Sequence, residues 1–184
     1  MSLGPPGLST DAERASLLSK IGYWYRDMDQ LQNARLALEE SVSLVPGQYE
    51  TVKQLLATLI KLGDKKAVLE RMSQLLHLDP HNPTVFDGCF AYARGSIVGW
   101  SDLLDLFDTL RTDYPGDQLV HANCNFYAGK LLINTDPASA RKHFIVAQES
   151  FRKLFPRGHH VFAALRSALR QLSQAKRAIP PSGA

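Results

Sequence analysis

The chain has 184 residues and only two cysteines, Cys89 and Cys124. Two thiols do not build a disulfide framework, so a reducing, cytoplasmic setting is expected. No apolar run approaches the roughly 18 residues that a membrane span requires, so no transmembrane helix and no membrane partner are expected. The first residues, MSLGPPGLSTD, carry neither a basic region nor an apolar core and do not read as a secretory leader. There is no glycine-rich phosphate loop, no paired-cysteine zinc motif and no HExxH helix. The expectation is a protein without metal or cofactor. What is present is ordinary globular composition, 45% hydrophobic and 21% charged, in a chain long enough to bury one continuous core.

Acid is scarce at one end. Residues 137–184 carry one acidic and nine basic side chains, against 17 acidic and 12 basic in residues 1–136. The formal net charge of +3 therefore conceals a −5 front and a +8 end. Such asymmetry between parts of a chain marks a candidate electrostatic surface.

The organising stretch runs from Ala15 to Gln48, ASLLSKIGYWYRDMDQLQNARLALEESVSLVPGQ. Apolar residues recur at helical intervals on both sides of a short turn at 27–29. Thr10 and Glu13 have capping-box spacing ahead of the first helix. Gly22 and Ala34 are small enough to let two helices approach, Tyr25 and Leu38 fill the space between, and Pro46 ends the second helix. A hairpin this short cannot bury its own apolar face and needs neighbours of its own kind. Residues 49–82 repeat the length and the pattern, with Gly63 suited to a left-handed helix end, Asp64 to the next cap and Pro80 as terminator. Residues 83–117 and 118–157 follow less regularly. The turn RGSIVGWSD is long and apolar, and Trp100 within it is expected to pack. Asp136-Pro137 reads as a cap followed by a first-turn proline. A last helix over 158–177 has Val161, Phe162, Leu165, Ala168, Leu169 and Leu172 on one face. Residues 1–9 and 178–184, rich in Gly and Pro, are expected to be disordered.

The first stretch resembles a tetratricopeptide repeat. Leu18, Ile21, Gly22, Tyr25, Ala34, Leu38 and Pro46 stand where that pattern has large, large, small, aromatic, small, large and proline. The resemblance implies an all-α fold in residues 10–177: a right-handed superhelix of about four helix-turn-helix hairpins closed by a C-terminal capping helix. It also implies a non-enzymatic scaffold or adaptor that holds a peptide segment of a partner in a concave groove lined by the first helix of each pair. The inward positions in that register include Ser19, Tyr23, Arg26, Lys53, Asp87, Arg94, Asn125 and Gly129. The carboxylate clamp that some such domains use on chaperone tails is not matched, because Ser19, Tyr23 and Gln54 occupy the corresponding places.

The rival reading uses the basic end. Arg166, Arg170 and Arg177 fall within about 40° of one another on the last helix, at about 100° per residue. That face suits head-to-tail self-association or contact with nucleic acid. No aromatics interleave with the arginines to stack on bases, so nucleic acid is not the favoured partner. Chemistry has one weak candidate. His121 and Cys124 share a helical face and could form a thiolate–imidazole pair, but Cys124 sits at a core position, where a thiol is inert. His159 and His160 are adjacent on a turn and lack further metal ligands.

Overall fold

The computed structural model describes residues 10–93 and 97–178, the last three by their backbone alone. Among them the chain is entirely helical, with nine helices: α1 (Asp11–Asp27), α2 (Leu31–Leu44), α3 (Tyr49–Leu62), α4 (Lys65–Leu78), α5 (Pro83–Ala93), α6 (Trp100–Asp113), α7 (Gln118–Leu132), α8 (Pro137–Leu154) and α9 (Val161–Ala178). Four hairpins and a final single helix are the elements expected from the repeat pattern. They fall into two compact units, Met1–Leu78 with Gly95–Val98 and Asp79–Arg94 with Gly99–Ala184.

The first unit holds α1 to α4 around an aliphatic core. Gly22 is buried, and a Cβ built there would stand 2.5 Å from Leu38 Cγ. Only a hydrogen fits, which is why α1 and α2 pack face to face. Ala34, Leu38, Val52, Leu55, Leu59 and Met72 are sealed from solvent. The starts and stops follow local chemistry. Glu13 N–H donates to Thr10 Oγ1 at 3.3 Å, and Thr10 N–H returns a bond to Glu13 Oε2 at 2.9 Å. Gly63 ends α3 at φ 75°, and Asp64 accepts from Ala67 N–H at 3.1 Å and from Arg35 Nη1 at 2.9 Å. That backbone bond and the guanidinium hold the Asp64 carboxyl below its ordinary range.

The second unit holds α5 to α9 and is aromatic where the first is aliphatic. Rings run through it in sequence. Phe107 on α6 meets Phe86 on α5 at 5.5 Å between centroids, and Phe86 stacks on Tyr127 of α7 at 5.1 Å. Tyr127 abuts Phe126 at 5.2 Å, and Phe126 faces Phe144 and Phe151 on α8 at 6.0 and 6.3 Å. Phe151 continues to Phe155 at 6.1 Å and Phe155 to His159 at 4.1 Å. Asp117 caps α7 through Leu119 and Val120 N–H, and Asp136 caps α8 through Ala138 and Ser139 N–H with Pro137 in the first turn. Gly129 repeats the role of Gly22, since a Cβ there would come within 2.6 Å of the Phe144 ring.

Charge is distributed differently from the simple front-and-end division. Residues 10–78 carry nine acids and nine bases, so the first unit is neutral. The surplus acid lies in residues 79–117, with seven acids against two bases. Both the acidic and the basic segments therefore belong to the second unit.

Candidate functional site: a groove on the first helices of the second unit

Leu119, Asn123, Phe126, Tyr127 and Lys130 recur every three or four residues along α7. They form one face, and that face is the floor of a groove walled by α5 and α9. One part of it, about 610 Å³, lies among His81, Asp87, Phe126, Lys130, His159 and Gln171. A second part, about 710 Å³, continues past Lys130 and Gln171 to Phe90, Trp100, Ile133 and Gln174.

Lys130 is the central group. Its ammonium pairs with Asp87 at 2.9 Å. It also lies 4.8 Å from the Phe90 ring, 5.7 Å from Phe126 and 4.5 Å from Tyr127. Three ring faces and one carboxylate hold the cation where the two parts of the groove join. Tyr127 is buried, and its hydroxyl donates to Pro83 carbonyl oxygen at 2.9 Å. Burial, with Asp87 adding to it, raises its pKa well above the ordinary phenol value, so it stays a neutral donor. Asn123 Nδ2 donates to His81 carbonyl oxygen at 3.2 Å, tying α7 to the start of α5. His81 Nε2 meets Asp117 at 2.6 Å. Burial would raise the Asp117 carboxyl, but hydrogen bonds from Val120 N–H and His81 outweigh it and leave it below its ordinary value.

The sequence-derived residues divide. Asp87 lies in this groove. Arg94 and the Arg177 side chain lie outside the described residues. Asn125 is not on the groove: it is buried, its Nδ2 donates to His121 carbonyl oxygen at 2.8 Å, and its Oδ1 faces His143 on α8 at 2.9 Å and Arg111 on α6 at 3.5 Å. Gly129 likewise faces α8. At about 100° per residue, Asn125 lies about 100° to 160° and Gly129 about 60° to 160° around α7 from the lining residues, because the inward register of the fourth repeat is one position off.

Ser19, Tyr23, Arg26 and Lys53 belong to a separate face on α1 and α3 of the first unit. Ser19 Oγ accepts from Thr51 Oγ1 at 3.1 Å, and Arg26 bonds Gln54. The Arg26 guanidinium also lies 4.9 Å over the Tyr23 ring, leaving Tyr23 43% exposed. Lys53 pairs with Glu50 at 3.1 Å.

Trp100 is half-buried and stacks on Phe90 at 5.4 Å, so it both packs and lines the groove. Cys124 is sealed in the core, and burial pushes its thiol up to about 12. His121 Nε2 meets Tyr114 carbonyl oxygen at 3.0 Å. That pair is therefore not an activated nucleophile. No helix of the described residues is long and apolar enough to cross a membrane, and no group of three metal-ligating side chains occurs among them.

The fold and this face define an all-α protein of tetratricopeptide-like helical hairpins with a groove on the first helices of its second unit. No protein-family model and no curated protein matches the sequence. Among solved structures, a crystal structure of MamA protein is 15% identical, with 90% of this chain and 87% of that chain covered and a TM-score of 0.48. The MamA RS-1 ArsTM double mutant is 16% identical, with 76% of each chain covered and a TM-score of 0.44.

Proposed function

We propose that this protein is a non-enzymatic scaffold that holds a peptide segment of a partner protein along α7, between α5 and α9. The observation that supports this most is the elongation of the groove. Its two parts share Lys130 and Gln171 and together follow α7, a helix of 15 residues. At 1.5 Å per residue that is about 22 Å, the length of about six or seven extended residues. Such a trough suits a chain better than a compact metabolite.

Each feature has a part in peptide capture. Phe90, Phe126 and Trp100 offer apolar and ring surface for side-chain anchors. Lys130 and Asp87 give the groove a paired charge that a peptide carboxylate or amine can exchange with. Gln171 offers an exposed amide for backbone bonds. The α1–α3 face of the first unit, with Tyr23, Arg26 and Lys53, is proposed as a separate contact.

The test is capture of a defined protein from lysate by immobilised chain, with salt and nuclease washes. Lys130→Glu should abolish capture with the helical circular dichroism unchanged. A Tyr23→Ala/Arg26→Glu/Lys53→Glu variant should weaken it less. Undiminished capture by folded Lys130→Glu would overturn the groove assignment.

A further inference from the structure

The outer side of α8 and α9 carries a second concavity that the groove on α7 does not use. It holds about 540 Å³, and Arg152 and Arg157 stand on one side of it with Arg166 on the other. Its apolar lining is Phe155, Phe162 and Leu169, over a buried Leu165. No acidic side chain lines it, and none of the three arginines has a salt bridge among the described residues. The face continues along α8. Ile145 is 48% exposed and lies one turn from Arg141 and two from Arg152, on the same stripe.

Arginine left without a counter-ion around an apolar floor is an unusual use of surface. Leu169 stays half-buried beside these cations, so apolar surface is left open among them, and a packed interface would supply the missing carboxylates. We infer that this concavity binds an acidic amphipathic helix of a protein partner, with its Asp or Glu side chains on Arg152, Arg157 and Arg166 and its apolar stripe on Leu169 and the edges of Phe155 and Phe162.

Charge and shape together select that occupant. Guanidinium forks take carboxylates and phosphates equally well. The aromatic lining is not free for a base, because Phe155 is stacked on His159 and Phe162 is buried, so a phosphodiester chain gains little from this apolar floor, and a leucine-bearing acidic helix has a group for it. The acidic helix of this chain itself, α6, is a poor match. Its outward stripe is Ser101, Asp105, Asp108, Thr109 and Thr112, which has no apolar anchor, and Asp108 already pairs with Arg111.

The experiment is fluorescence anisotropy with the full chain and a labelled synthetic peptide of about four helical turns, bearing glutamates beside a leucine stripe. Arg152→Glu/Arg166→Glu should weaken binding by at least about tenfold. Leu169→Asp should weaken it without changing the arginines, and Lys130→Glu should leave it intact. All of these positions are exposed or half-buried, and circular dichroism checks that each variant keeps its helix content. Raising salt should weaken binding without abolishing it, because the apolar floor is indifferent to screening. Three results would overturn the inference: equal binding of a peptide with lysines for glutamates, arginine-dependent binding of single-stranded DNA that ignores Leu169→Asp, or arginine-dependent self-association by sedimentation in the absence of peptide.

Discussion

At position 129 a hydrogen atom stands where any other residue would place a carbon 2.6 Å from the Phe144 ring. That ring is buried and has nowhere to retreat. Gly129→Ala should therefore destabilise the protein by about 1–3 kcal/mol, the usual range for overpacking. Gly88 on α5 is also helical but has no atom within 4 Å of its absent Cβ. Gly88→Ala should be neutral or stabilise by about 0.5–1 kcal/mol, since alanine is the better helix former. Urea titration of the two variants measures both, and equal effects would refute the close-approach account. Gly129 also explains what was illegible. The register that sends Asn125 and Gly129 inward puts Ala128 at the small position of the repeat. Anchoring the repeat on Gly129, as Gly22 anchors the first, makes 126 and 130 the equivalents of 19 and 23. Phe126 and Lys130 then point to the groove. The signal was in the sequence, but Ala128 and Gly129 are both small and only packing distinguishes them.

Helix ends were the most legible elements, because caps are local chemistry. Thr10 with Glu13, Gly63 with Asp64, and Asp136 with Pro137 all act as their spacing implies. Apart from the close approach at Gly22, interactions between helices were not legible, and His143 shows one with a measurable consequence. It lies on α8 against Asn125 of α7, near Arg111 of α6. Burial lowers its pKa below the ordinary 6.5, and Arg111 adds to that against the opposing pull of Asp108 and Asp136. The folded chain thus binds the imidazole's proton less readily than the unfolded chain does. The imidazole's contribution to stability is complete above 6.5 and is lost as pH falls toward the folded-state value. Asp64, Asp117 and Asp136 have lowered pKa values and act in the same direction, but below their ordinary 3.8. Between about pH 7.5 and 5.5 the urea midpoint should decline in the native protein and decline less in His143→Gln. An identical slope in both would show that the three-helix contact does not set the imidazole's proton affinity.

The two units are chemically unlike, and each carries one of the chain's two tryptophans. Trp24 is 61% exposed on α1, whereas Trp100 is stacked on Phe90 in the groove of the second unit. In single-tryptophan variants, acrylamide should quench Trp24 freely and Trp100 less. A peptide seated along α7 should shield Trp100 further and leave Trp24 unchanged. Shielding of Trp24 instead would move the binding face to the first unit. Hairpin number was readable at this scale because helical periodicity and turn residues recur even where the repeat departs from its first length. The seat of the charge was less so. A division at residue 136 spreads the acid over the whole front, whereas the compact units put it in 79–117.

The aromatic succession from Phe107 to His159 bears on how such a protein can change over generations. In a repeat array with interchangeable joints, a hairpin can be duplicated, lost or borrowed, since each seam offers its neighbour the same aliphatic surface. In the second unit each ring is cut to fit the next, from Phe86 and Tyr127 to Phe126, Phe151 and Phe155. The Phe86–Tyr127 stack joins the α5–α6 hairpin to α7, so a hairpin inserted between them would leave a ring without its partner on each side of the splice. That joint is therefore costly to splice, whereas the rim of this unit is open to substitution.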